Sequence, residues 1–156
     1  MMHRNYILRV VSKLLIPFIL LFGLYVQWHG DFGPGGGFQA GVIFAAGFIL
    51  YGLIYGLGTL RKALPAWVTR LVLTLGVLLY AGVGVACMLL GSKFLDFDIL
   101  ATKPTDGQHM GIVLVEFGVG LTVFAGIVTI FCAFAGRAAA DVNPADNMTA
   151  GDAGND

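Results

Sequence analysis

Residues Trp28–Gly41 read WHGDFGPGGGFQAG, and their reading decides the fold, because here an otherwise apolar chain stops and turns round. Gly33, Gly35, Gly36 and Gly37 crowd around Pro34, and polar Gln39 follows where an apolar helix has to begin. On one side, Ile7–Trp28 supplies 22 residues. At about 1.5 Å per residue, that length crosses a hydrocarbon core of about 30 Å. On the other side, Phe38–Leu60 carries no charge and stops at Arg61-Lys62. A glycine turn between two such segments is a reversal at a membrane surface, its freed backbone groups satisfied within protein.

Composition agrees. With 58% hydrophobic residues, 12% charged residues and a mean hydropathy of +0.86, the chain is too apolar for a soluble domain of its size. Further spans are expected at Leu71–Gly91 and at Met110–Ala135, the latter interrupted only by Glu116. The first span is tested as a signal peptide because Arg4, Arg9 and Lys13 precede its apolar run. It ends in Gln27-Trp28-His29-Gly30 rather than a small-x-small cleavage site, so it is read as retained. Lys13 lies one or two turns inside the inner end, where its stem can carry the ammonium back to the headgroups. Pro17 is a candidate kink, and Tyr25, Trp28 and Trp67 suit the interfaces.

Between the spans, Arg61–Arg70 reads as a short basic turn broken by Pro65. Ser92–His109 is a longer loop in which Phe94, Leu95, Phe97 and Ile99 alternate with charges; it either lies on the membrane or a partner or is an ordinary solvated loop. The composition of 136–156 shifts to Ala, Asp, Asn and Gly and is expected to be a disordered cytoplasmic tail. Asn147-Met148-Thr149 is a weak glycosylation match. Arg4, Arg9, Lys13, Arg61, Lys62, Arg70 and Arg137 fall on one face and only Lys93 and Lys103 on the other, so the positive-inside rule sets both termini inside. The expectation is an all-α integral membrane protein with four transmembrane helices in residues 1–135, N-in and C-in, the glycine turn facing outward.

Glu116 is the sharpest chemical signal. An acid within a span costs a few kcal/mol to insert, so it faces protein or water, either on an ion or proton route or as a hydrogen-bonded tie between helices. His109 stands two turns before it on the same helix face, a candidate relay at an outer mouth, with Gly120 one turn beyond. Gln39, with His29 and Asp31 nearby, would satisfy backbone groups of the turn or join a polar path. Gly37, Gly41 and Ala45 form one small-residue stripe and Gly52 with Gly56 another, so that a helix can approach closely. The glycine turn has no following Gly-Lys-Ser/Thr and sits between spans, which argues against a nucleotide site. Zero net charge gives no field for nucleic acid. Cys87 and Cys132, expected near opposite membrane faces, and the scattered histidines match no metal-ligand spacing and no disulfide. No catalytic constellation and no cofactor motif is present.

The run Pro34-Gly35-Gly36-Gly37-Phe38-Gln39-Ala40-Gly41 directly after a first span resembles the signature of the B subunit of Mrp-type multisubunit Na⁺/H⁺ antiporters, the MrpB or MnhB family. The resemblance continues through Gly58-Thr59-Leu60-Arg61, Leu64-Pro65 and Glu116 with Gly118-Val119, covering about residues 10–135. Ala40 stands where the family often has glycine, and His29–Gly33 departs from the commoner Gly-His-Asn lead-in. The resemblance implies a small subunit of a bacterial cytoplasmic-membrane assembly of six or seven different membrane proteins. Na⁺ and H⁺ would be its transported ions, and its largest members are similar to the proton-pumping subunits of respiratory complex I. Purely structural membership of such an assembly, or a self-contained homodimeric transporter, are the competing readings of the same residues.

Overall fold

The structure is a computed structural model and describes residues 2–30, 35–100 and 104–142. They form helices α1 (Met2–His29), α2 (Gly37–Tyr55), α3 (Leu57–Ala63), α4 (Ala66–Leu89) and α5 (Pro104–Val142), with a 3₁₀ turn at Phe97–Leu100. Among the described residues, four helical segments are long and apolar enough to cross a membrane: Tyr6–His29, Gly37–Tyr55, Ala66–Leu89 and Gly107–Ala138. The four-span expectation therefore holds, with three changes at the boundaries.

The second span, expected to run unbroken over 38–60, breaks at Gly56. That residue has φ +92°, which side-chain-bearing residues rarely adopt, and it caps α2 by donating its N–H to the Gly52 carbonyl. The break lets α3 swing Leu60, a fully buried side chain, against Gly52. Gly56 thus bends the chain while Gly52 receives a neighbour, so these two glycines do not form a common packing stripe. Leu60→Ala is expected to cost about 2–5 kcal/mol, as for other large-to-small changes that leave a cavity, read as a lower unfolding midpoint in detergent.

The basic turn is mostly helical, because Pro65 starts α4 from an extended conformation (φ −61°) only two residues after α3 ends. At the far end, α5 continues through Gly136 to Val142, where the tail was expected to begin; residues 143–156 lie outside those described. The apolar part of α5 alone has 32 residues, about 48 Å of helix, which exceeds the hydrocarbon thickness.

The helices stand side by side in the order α1, α2, α5, α4. Pairing along α2 and α5 keeps a constant offset, from Gly37 with Glu116 through Gly41 with Gly120 to Gly52 with Phe131, so these two helices run parallel. Their neighbours are antiparallel: Gly23 of α1 faces Phe44 and Leu20 faces Gly47, while Gly76 of α4 faces Gly118 and Thr122. Apart from Leu60 and Val128, the most buried hydrophobic positions, Ala40, Ala45, Cys87 and Ala125, are small, which fits lipid, where close backbone approach rather than hydrophobicity drives association. The Phe124 ring packs against two rings of α2, its centroid 6.5 Å from Phe44 edge-on and 5.4 Å from Phe48. Cys87 and Cys132 are both free thiols.

The loop after α4 packs on its own chain. The Phe94 ring covers Gly84 and the Phe97 ring covers Gly111, each where a Cβ would overlap it. Leu95, at φ 62°, makes the tight turn between them, and Asp96 accepts a 2.6 Å bond from the Ser92 hydroxyl. Gln108 donates to Asp98 at 2.7 Å and so joins the 3₁₀ turn to α5.

Candidate functional site

Glu116 is half-buried on α5, and its carboxylate lies over the main chain of Gly30 and Gly36. A Cβ placed on Gly30 would sit 2.7 Å from its Oε2, and one placed on Gly36 would sit 3.3 Å from its Oε1. Gly30 closes α1 and Gly36 opens α2, so one carboxylate touches both ends of the reversal. Only glycine fits there. Gly36 also holds φ +126°, the left-handed region, while its N–H donates to the Val26 carbonyl at 3.4 Å.

Gly36 is the cap residue of α2 and provides no side-chain hydrogen bond. The amides of the first turn of α2 have no intrahelical acceptor, and the partial positive charge of a helix N-terminus favours an anion beside it. Glu116 stands at that position. The same level is rich in oxygen: Gln39 Oε1 lies 3.2 Å from the Cβ position of Gly36, and Gln27 Oε1 lies 2.8 Å from that of Gly120. The Gly37 carbonyl is 3.1 Å from the same Gly120 position. Carboxylate, amide and carbonyl oxygens are the ligands that hard monovalent and divalent cations take, and a carboxylate also carries a proton. Among the described residues no group of three or more His, Cys, Asp or Glu is placed to hold a metal ion.

Close packing holds this arrangement. A Cβ on Gly37 would overlap the main-chain carbonyl of Glu116 itself, and one on Gly41 would lie 2.6 Å from the Gly120 carbonyl. The expected stripe of Gly37, Gly41 and Ala45 is buried along this seam. Of the other expected residues, Gln39 reaches back over Gly36 although its side chain is mostly exposed, and Phe38 is exposed. His109 is exposed on α5, two turns before Glu116. Gly35 lies against the Val26 carbonyl, and Pro34, with Asp31–Gly33, falls outside the described residues.

Gln27 and Gly30 escape the sequence reading. Gln27 looks like the polar end of a span, and only its pairing with Gly120 on α5 distinguishes it. Beside it opens a largely apolar cleft of about 360 Å³ walled by Leu24, Phe44, Phe48, Phe117 and Phe124.

Fold and site together define a multi-pass membrane protein whose one intramembrane carboxylate, among the described residues, is seated on a glycine-built helix reversal. Over residues 7–129 the chain matches the family described as "Domain related to MnhB subunit of Na+/H+ antiporter", and it belongs to that family. Relatives named as antiporter subunit mnhB2 in Staphylococcus aureus, strains Newman, JH1 and COL among them, are 33% identical over 139 residues. That alignment covers 87% of this chain and 98% of each relative. Four membrane-crossing segments and this family make it a multi-pass protein of a bacterial cell membrane.

Proposed function

We propose that this chain is a small subunit of a multisubunit Na⁺/H⁺ antiporter, a transporter component rather than an enzyme, working alongside other antiporter subunits. The observation that carries the reading is the seat of Glu116 at the N-terminus of α2, within a chain of the MnhB family. There the carboxylate exchanges a proton for a cation, Gln27 and Gln39 provide neutral oxygens, and the basic ends of the helices lie on the cytoplasmic side. His109, two turns outward, connects this carboxylate to the outer surface.

A structural reading draws on a different observation. Glu116 is also a point of close approach between α5 and α2, its main-chain carbonyl against Gly37, so the same residue can serve subunit and helix packing alone. The first experiment is purification of this chain in mild detergent from its native membrane, with mass spectrometry of whatever remains bound. Several other small and large membrane subunits are expected to co-purify. Recovery of a lone homodimer that exchanges Na⁺ for H⁺ in liposomes would overturn the subunit reading.

A further inference from the structure

We propose that the inner ends of α1 and α2 form a binding site for the headgroup of an anionic phospholipid, with Lys13 as its cation. The two helices enclose a recess of about 350 Å³ lined by Lys13, Ile16, Pro17, Tyr51 and Tyr55. The Tyr55 hydroxyl donates to the main-chain carbonyl of Arg9 at 3.1 Å, which fastens α2 to α1 one turn from Lys13. The Tyr51 ring lies tilted against Tyr55 at 4.9 Å between centroids, and both line the recess.

Lys13 is exposed and lies six residues inside the span that the sequence starts at Ile7, about 9 Å along the helix. Among the described residues it has no acidic partner. The acids whose side chains are described, Asp96, Asp98 and Glu116, all lie towards the opposite ends of the helices. An ammonium at that depth is costly unless an anion meets it, and helix geometry leans its stem towards the N-terminus of α1, the headgroup side. The anion that a bilayer itself presents there is a lipid phosphodiester.

Two further groups narrow the headgroup. Pro17 has no N–H, so the carbonyl of Lys13 lacks its usual helical donor and is an acceptor where Lys13 and Pro17 line the recess. Tyr51 contributes a phenolic donor. Cation, donor and acceptor together match a phosphodiester that carries hydroxyl groups, as in phosphatidylglycerol. A choline headgroup has no donor for the carbonyl and a compensating positive charge.

The test is native mass spectrometry of the full-length chain in detergent, titrated with dioleoyl phosphatidylglycerol and separately with dioleoyl phosphatidylcholine. Phosphatidylglycerol is expected to be retained preferentially. Lys13→Gln should weaken it about five- to tenfold, the contribution of one cation near an anionic surface. Arg70→Gln, which removes a basic residue outside the recess, should leave retention unchanged, and soluble glycerol phosphate should not compete. Should Lys13→Gln fail to fold, Tyr51→Phe carries the test, with a loss of about threefold for one hydrogen bond. Equal retention of the two lipids, equal losses from Lys13→Gln and Arg70→Gln, or displacement by glycerol phosphate would each overturn the proposal. So would cross-linking of Lys13 to a carboxylate of a co-purifying subunit.

Discussion

Gly37→Val is expected to abolish the folded state of this protein in detergent, with loss of cooperative unfolding and of any complex on a native gel. A Cβ at this position would overlap the Glu116 main-chain carbonyl, and two branches would follow it into the seam. Neither atom can rotate away, because both belong to helix backbone. Overpacking a core with flexible neighbours costs about 1–3 kcal/mol, and a clash against backbone belongs at or above the top of that range. The cost is compounded because Gly41 and Gly120 make a similar approach one turn further along, so the helices cannot part at one point and stay joined at the next. Gly82→Val is the matched control. Nothing lies within 4 Å of a Cβ at Gly82, and its unfolding should be close to that of the unsubstituted chain. Equal behaviour of the two variants would refute the seam.

The second large effect is expected at Glu116. Glu116→Gln keeps the length and shape of the side chain, so it fits the space bounded by Gly30 and Gly36, but it can no longer carry a charge or exchange a proton. If the carboxylate carries ions, Na⁺-dependent proton movement in everted membrane vesicles should fall to the level of membranes lacking the antiporter, while the complex remains intact on a native gel. The packing reading expects the opposite pattern: a complex that survives continues to transport. The N-terminus of α2 sharpens the comparison. It favours an anion over an amide, so some loss of stability accompanies the change, of the order of 0.3–1 kcal/mol for a charge at a helix end. That is too small to dissolve the complex and too small to account for a complete loss of transport.

Much of this was open to reading in the residues, for physical reasons that differ from place to place. Spans are visible because every backbone group in lipid must be paired within a helix, which leaves long uncharged runs such as those after Phe38 and Leu71. Glu116 is visible because an acid in such a run is expensive. The break at Gly56 was not visible: glycine is common in membrane helices, and whether it packs or bends depends on where Leu60 lands. The extension of α5 past Gly136 was hidden by the loss of hydrophobic periodicity, which says little about backbone conformation once a long helix is already running and Ala138–Ala140 can continue it. Gln27 joins the site only through the docking of α1 and α2 on α5, a relation between distant segments that no local pattern records. The stripe of Gly37, Gly41 and Ala45 was legible as a surface, but its occupant was not.

The parallel pairing of α2 and α5 has a consequence for how the molecule comes into being. Antiparallel neighbours that follow one another in the chain, α1 with α2 and α4 with α5, can associate as soon as each pair is inserted, since only short connections must close. The α2–α5 seam joins segments far apart in sequence and cannot begin to form until α5 has entered the membrane. The carboxylate arrives with the late hairpin and its glycine cradle with the early one. During synthesis the cradle therefore stands open on a half-made protein, and the acid enters it only when the two halves meet. The site is complete only once α5 has docked on α2.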